Sequence, residues 1–255
     1  MPDFEIVLLL IAAGLCAGFV DAVVGGGGLI QLPTLAIVFT SAAPVQLLAT
    51  NKIASVCGTS ASAATFLRRV RPDPQTFVPL MVAAFVGALL GAVGASHLSR
   101  EAFNPMILVV LVIVGATVVF KPDLGAATSL RFGARRHRAL AVLIGLLVGA
   151  YDGLLGPGTG SFFVFGLVLL LGYNFIDATA KAKLANWATN LAALVIFIPQ
   201  GAVMWRVGLL MGAANLVGGY LGARTAVARG TVFVRVFFLV VVAAFIVRIG
   251  WQVLG

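Results

Sequence analysis

Apolar residues run along this chain in long blocks, and polar residues fall between the blocks rather than alternating within them. The stretch FNPMILVVLVIVGATVVF (103–120) holds no ionised group and approaches the ~20 residues that cross a bilayer as a helix. VFFLVVVAAFIV (236–247) has the same character. A membrane β-barrel would alternate apolar and polar positions, and these runs do not. Broken at glycine, proline and charge clusters, the pattern predicts about ten helical segments. Their limits are 4–24, 28–40, 44–67, 75–98, 103–120, 138–155, 159–172, 176–198, 205–227 and 232–253. The second and seventh are short, about 14 residues or 21 Å at the helical rise, against a hydrocarbon core of about 30 Å. Each follows a glycine-rich break, VVGGGGLIQLP (23–33) in one case and GLLGPGTGS (153–161) in the other.

The halves repeat. A shift of 131 places Gly18 on Gly149, Asp21 on Asp152, Gly25 on Gly156, Gly27 on Gly158 and Lys52 on Lys183. It holds without a gap at Gly87/Gly218 and Gly91/Gly222, then at Leu108-Val109-Val110 against Leu239-Val240-Val241. Matches of glycine, aspartate and lysine at one constant offset predict a duplication. The expected units are a first repeat over 1–120, a basic linker over 121–137 and a second repeat over 138–255.

Composition places these segments in a membrane. The chain is 61% hydrophobic and 10% charged, whereas soluble domains run at about 45–50% and 25%. The fold class is therefore an all-α integral membrane protein of about ten segments. The net charge of +9 does not point to nucleic acid, because the basic residues cluster in short linkers. Arg68, Arg69 and Arg71, then Lys121, Arg131, Arg135, Arg136 and Arg138, then Arg224, Arg229 and Arg235 fall on one side. Only Arg100, Arg206 and Arg248 fall on the other, and the positive-inside rule makes the first side cytoplasmic. Both termini are then expected outside. A unit of five segments is odd, so the second repeat is expected upside down relative to the first, as in many secondary transporters. Asp3 and Glu5, without a positive stretch, give no expectation of a cleavable signal peptide. Cys16 and Cys57 lie in apolar segments as small hydrophobes.

Candidate chemistry gathers at the breaks and on two helices. A phosphate loop ends in GK[ST] after a strand, and Gly25-Gly26-Gly27-Gly28 lacks both features. The glycines can serve close helix packing. Alternatively, they free backbone N–H groups at the start of a short helix, where an anion is held. The first break adds Gln31; the second carries Gly156, Gly158 and Gly160 with the hydroxyls of Thr159 and Ser161. Lys52 lies well inside the third segment, with Thr50, Asn51 and Ser55 around it. A charge at the membrane centre costs about 2.5–3.5 kcal/mol and so faces a cavity or a partner. Lys183, Asn186 and Asn190 share one helix face at spacings of three and four. Lys181 and Lys183 begin their segment and can instead snorkel to headgroups, an expectation strongest for Lys181. Asp21 and Asp152 each precede a break by four residues. They can carry protons, bind ions, pair with Lys52 and Lys183, or accept hydrogen bonds from backbone freed by the break. Asp73 and Asp177 read as loop or interface residues, Asp177 as a helix cap. His97 and His137 stand alone. No metal-ligand spacing or nucleophile–base pair is present, so no metal, no cofactor and no enzyme are expected.

The blocks GFVDAVVGGGGLIQLPTL, LATNKIASVCGTSAS, GAYDGLLGPGTGSFF and ATAKAKLANWATNLAAL resemble the paired signatures of the sulfite exporter TauE/SafE family, the toluene sulfonate uptake permeases. The resemblance runs from about Gly14 to Val247, and the branch with VDA-x-x-GGGG-L is the most similar. It implies a multi-pass permease of the bacterial inner membrane for small anions such as sulfite, sulfonates and carboxylates. The family's glycine motifs fall on Gly25–Gly28 and on Gly156, Gly158 and Gly160. Its polar helix motifs fall on Thr50-Asn51-Lys52 and on Lys183, Asn186 and Asn190. Many members have a threonine or serine pair where this chain has Lys181-Ala182. The expected function is a secondary transporter of a small anion by alternating access, with membrane lipid as the other partner. A passive anion channel and a non-transporting scaffold are the alternatives.

Overall fold

The computed structural model of the chain describes residues 4–95 and 125–254. The predicted fifth segment, 103–120, lies outside the described residues, as do the end of the fourth and the start of the linker. The elements are α1 (Phe4–Val24), α2 (Gly28–Val38), α3 (Pro44–Arg69), α4 (Pro74–Gly94), α5 (Ala134–Leu154), α6 (Thr159–Gly166), α7 (Phe175–Phe197) and α8 (Trp205–Leu254). A π-turn over Leu167–Leu171 continues α6. No strand occurs among the described residues.

The predicted ninth and tenth segments run end to end as α8 and are parted at Gly230, which is non-helical with φ 73° and ψ −168°. Only glycine adopts that backbone readily, so the bend falls where the sequence places a break. The predicted sixth segment begins four residues early, at Ala134, because the basic stretch ARRHR is already helical. Asp73 caps α4 by accepting the N–H of Thr76 at 3.0 Å, with Pro74 in the first turn. α7 is capped by Asn174, which accepts the N–H of Asp177 at 2.8 Å, so Asp177 is inside the first turn and is not the cap. Its carboxylate accepts instead from the Asn174 amide at 2.8 Å.

Among the described residues α1, α4 and α5, each 21 residues, are long and apolar enough to cross a membrane. The chain is a membrane-embedded protein, and its polarity is arranged accordingly. Leu8, Leu9, Val82, Leu90 and Leu147 of these helices are exposed. α3 and α7, which carry Lys52, Lys181 and Lys183 with Asn51, Asn186 and Asn190, are the more buried ones. In lipid, polar side chains cost most when they face outward, so the polar helices take the middle.

The most extensive helix contacts are α4 with α5 and α1 with α8. The two are related residue by residue through the shift of 131. Gly87 and Gly91 of α4 lie against the carbonyls of Leu146 and Ala150 on α5. Gly218 and Gly222 of α8 lie against the carbonyls of Leu15 and Phe19 on α1. A Cβ at any of these four glycines would strike a backbone oxygen. Small residues let the backbones approach where no hydrophobic force drives helices together. α3 rests on α8 as its counterpart α7 rests on α4. Each long helix thus finds its main partner in the other half of the chain, whereas α2 and α6 pack chiefly on helices of their own half.

Candidate functional site

The breaks are set by glycine. Gly25 and Gly156, equivalent under the shift, take φ of 89° and 92°. In that left-handed region any side chain is strained, so α1 and α5 both stop there. Equivalence then ends: Gly27 is right-handed at φ −57°, whereas Gly158 is left-handed at φ 76°. The breaks touch each other. Gly25 packs on Gly160, the Ser161 N–H donates to the Gly25 carbonyl at 3.3 Å, and the Ser161 hydroxyl donates to the Val24 carbonyl at 2.8 Å.

Each acid holds its own break and a lysine from the other half. Asp152 Oδ1 accepts from the Thr159 hydroxyl at 2.6 Å, and its Oδ2 stands 2.6 Å from Lys52 Nζ. Asp21 Oδ1 accepts the Gly27 N–H at 3.4 Å, and its Oδ2 accepts from Lys183 Nζ at 3.0 Å. Lys183 donates to the Asp21 carbonyl as well. The lysine side chains are 2% and 0% exposed. Two ionised groups this deep persist because each has an opposite charge and further hydrogen bonds. Of the four roles open to the acids, pairing with the lysines and bonding to the breaks are both present in the geometry.

Between these pairs lies a narrow cavity, with only about 10 Å³ open to the centre of a water molecule. That is room for about one water. Asp21, Gly25 and Gly28 reach it from the first break, and Asn51, Lys52 and Ser55 from α3. Asp152, Gly156, Gly158, Thr159 and Gly160 reach it from the second break, and Asn186 and Asn190 from α7. Six candidate residues are not in its wall. Gly26 and Gly27 are behind Gly28, and Lys183 is turned to Asp21. Ser161 ties the breaks together, Thr50 accepts the Met204 N–H at 3.1 Å, and Gln31 accepts from Ser55 at 3.3 Å.

Donors without a protein acceptor face this space. The N–H groups of Gly28, Thr159 and Gly160 make no hydrogen bond among the described residues. Asn51, also in the wall, has a buried and unpartnered acceptor in its Oδ1, and the unpartnered Gln31 Nε2 lies outside the wall. Buried polar groups are nearly always paired, so unpaired ones in a cavity wall leave valence for something bound. The two lysines and two aspartates sum to zero charge.

Lys181 does not snorkel. Its side chain is 3% exposed, its Nζ is 2.8 Å from Asp73 Oδ1, and it lies 4.0 Å over the Tyr173 ring. His137 is not alone either: its Nε2, the Thr76 hydroxyl and the Tyr173 hydroxyl form a triangle with sides of 2.9–3.1 Å. Tyr173 in turn donates to Asp73 at 3.1 Å. Burial pushes the Tyr173 phenol far up, keeping it protonated as a donor. Sequence reasoning missed this cluster, and it missed Tyr151, whose hydroxyl donates to the Pro157 carbonyl at 2.7 Å and braces the second break. The members are spread from Asp73 to Lys181 along the chain, so no local motif marks them.

With this geometry in hand, comparison with known proteins is direct. The sequence profile of the family "Sulfite exporter TauE/SafE" matches residues 10–249. The chain belongs to this family. A Sinorhizobium protein named "Probable membrane transporter protein ORF9" is 32% identical over 96% of this chain and 93% of its own length. A "Probable membrane transporter protein" of Haemophilus influenzae is 33% identical over 91% and 89%. YfcA of Escherichia coli, named in the same way, is 32% identical over 92% and 86%. No solved structure matches. These TauE/SafE relatives are transporters by name and not enzymes, and the protein is a membrane transporter.

Proposed function

We propose that this transporter is a secondary carrier of one small anion, a sulfite, sulfonate or carboxylate, and that it works by alternating access. One observation carries the reading: a narrow cavity lined by both glycine breaks, beside two Lys–Asp pairs that exchange under the 131 shift. Free N–H groups at the starts of α2 and α6 are suited to an oxyanion, because a helix N-terminus carries about half a positive charge. An arriving anion has Lys52 as its counter-charge, in place of Asp152. At about 10 Å³ the cavity is too small for such an anion, so a loaded state requires the two halves to move apart. A site constricted to about one water's room supports a carrier over a channel, which needs a continuous path. The family name supports a sulfur oxyanion as cargo, and the dense basic linkers support their side as cytoplasmic.

The ten-segment inverted repeat belongs to the same proposal. Duplicated contacts among the described residues support it, and an odd unit of five turns the second copy over. In a bacterial inner membrane both termini would then be periplasmic. Single cysteines at 3, 100 and 133 test this: 3 and 100 should label from outside and 133 only from inside.

The function is tested on purified protein by thermal shift against sulfite, small sulfonates and carboxylates, because a ligand of the native state raises Tm by mass action. A hit should then be taken up against its gradient by proteoliposomes, and Lys52→Met should abolish both effects. Conduction without accumulation would favour the channel. Absence of any binding or flux across the panel would leave the scaffold.

A further inference from the structure

The shift of 131 also exposes where the halves differ. Lys181, Asp73, Thr76, His137 and Tyr173 correspond to Thr50, Met204, Val207, Ile6 and Ala42. The latter four pack in one apolar cluster, and Thr50 accepts a backbone N–H from Met204. The fold is therefore satisfied at this position without polar groups. In the other half the same place holds an ion pair between buried Lys181 and half-exposed Asp73, a phenol, an imidazole and a cavity of about 580 Å³. That volume is in the range of small-molecule sites.

Three features of the cavity point to an anion. Arg71 and Arg138 line it and make no ion pair among the described residues, while Lys181 at its inner end is held by Asp73. Asp177, the other acid in the wall, accepts only from Thr128 and Asn174. Nδ1 of His137, a residue 6% exposed, is buried and has no partner. Arg71 has φ 53°, the only left-handed non-glycine residue among those described. It ends α3 by donating its N–H to the Phe66 carbonyl at 3.3 Å, a position glycine fills without strain. The strained arginine is what a guanidinium needed in the cavity would leave behind.

We propose that this cavity is a second anion site, which captures a free carboxylate or sulfonate from the basic face. The forked guanidiniums of Arg71 and Arg138 bind it, and Lys181 stands between them and the central cavity. Five residues of α7 separate Lys181 from Asn186, about 7.5 Å along the axis. The inference rests on the central-site reading above for its direction of transfer, not for the binding itself.

The test is calorimetric titration of the full chain in phosphatidylcholine nanodiscs with sulfoacetate, methanesulfonate, acetate and phosphate. At least one of these should give a two-site isotherm. Arg71→Gly combined with Arg138→Gln should weaken one site about tenfold or more and leave Tm unchanged or higher. Lys52→Met should remove the other site only. An isotherm unaltered by the arginine substitutions overturns the second site and leaves the central one standing. If Lys52→Met changes nothing while the arginine pair weakens binding, the central reading falls and the second site stands. No binding of any probe overturns both. If the arginines matter only for stabilisation by phosphatidylglycerol, a lipid headgroup is the occupant and capture of a free anion is overturned.

Discussion

The centre of the molecule and its basic mouth are built from equivalent stretches of the two halves, yet they obey different rules. At the centre, Lys52–Asp152 and Lys183–Asp21 are one interaction made twice. At the mouth, Lys181–Asp73 has as its counterpart a hydrogen bond between Thr50 and Met204. Both contacts join one half to the other, but only the central pair is made twice with the same chemistry. Even the duplicated pairs are unequal. Asp152 is 2% exposed with its lysine at 2.6 Å, and Asp21 is 14% exposed with its lysine at 3.0 Å. The second break adds the Thr159 hydroxyl, where the first has only a backbone N–H.

That inequality predicts a ranked set of outcomes. Lys52→Met leaves Asp152 charged and enclosed, so it should cost about 3–5 kcal/mol in denaturant unfolding. The corresponding change at Lys183 should cost less, because Asp21 reaches some solvent. Equal losses would remove the asymmetry. Adding Asp152→Asn to Lys52→Met should restore part of the loss, since the stranded charge is then gone. Next in size, Gly91→Ala and Gly222→Ala each drive a methyl into a carbonyl on the partner helix, and each should cost about 1–3 kcal/mol. A large loss at only one of them would show that the duplicated helix contacts are not equivalent in energy.

Smaller again, Thr159→Val should cost about 1 kcal/mol by removing a hydrogen bond to Asp152. The effect should vanish in an Asp152→Asn background if the bond is the whole cause. The smallest effect belongs to the mouth. Burial acts to raise the pKa of Asp73, but hydrogen bonds from Lys181, Thr76 and Tyr173 outweigh it and hold the carboxyl below its ordinary 3.8. Its contribution is therefore complete above that value and lost as pH falls through the lower folded one. Asp73 is 45% exposed, so solvent screening keeps the term under about 1 kcal/mol. Wild-type Tm should fall slightly more than that of Asp73→Asn between pH 5 and pH 3, read by thermal scan.

Much of the central cavity is legible in the residues and their spacing. The glycines at 25–28 and 156–160 announce a helix break, though not which of them turns left-handed, and a lysine deep in an apolar segment announces a cavity or a partner. Asn51, Ser55, Asn186 and Asn190 follow from helical spacing once Lys52 and Lys183 are fixed. The same logic misplaces Lys181, because snorkelling and inward pairing differ only in what lies nearby. It passes over His137 and Asp73, whose partners Thr76, Tyr173 and Lys181 come from separate parts of the chain.

The sequence by itself determined that the chain is a helical membrane protein, where its helices break, and that one pattern occurs twice. These follow from the desolvation of apolar side chains and the backbone freedom of glycine, which are properties of a residue and its near neighbours. Only the tertiary structure decided that Lys52 and Lys183 each cross to the acid of the other half, that the central cavity is narrow, and that the mouth is polar in one half and apolar in the other. Those depend on distances between helices far apart in the chain, and an ion pair forms by distance in space, whatever the order of residues along the chain.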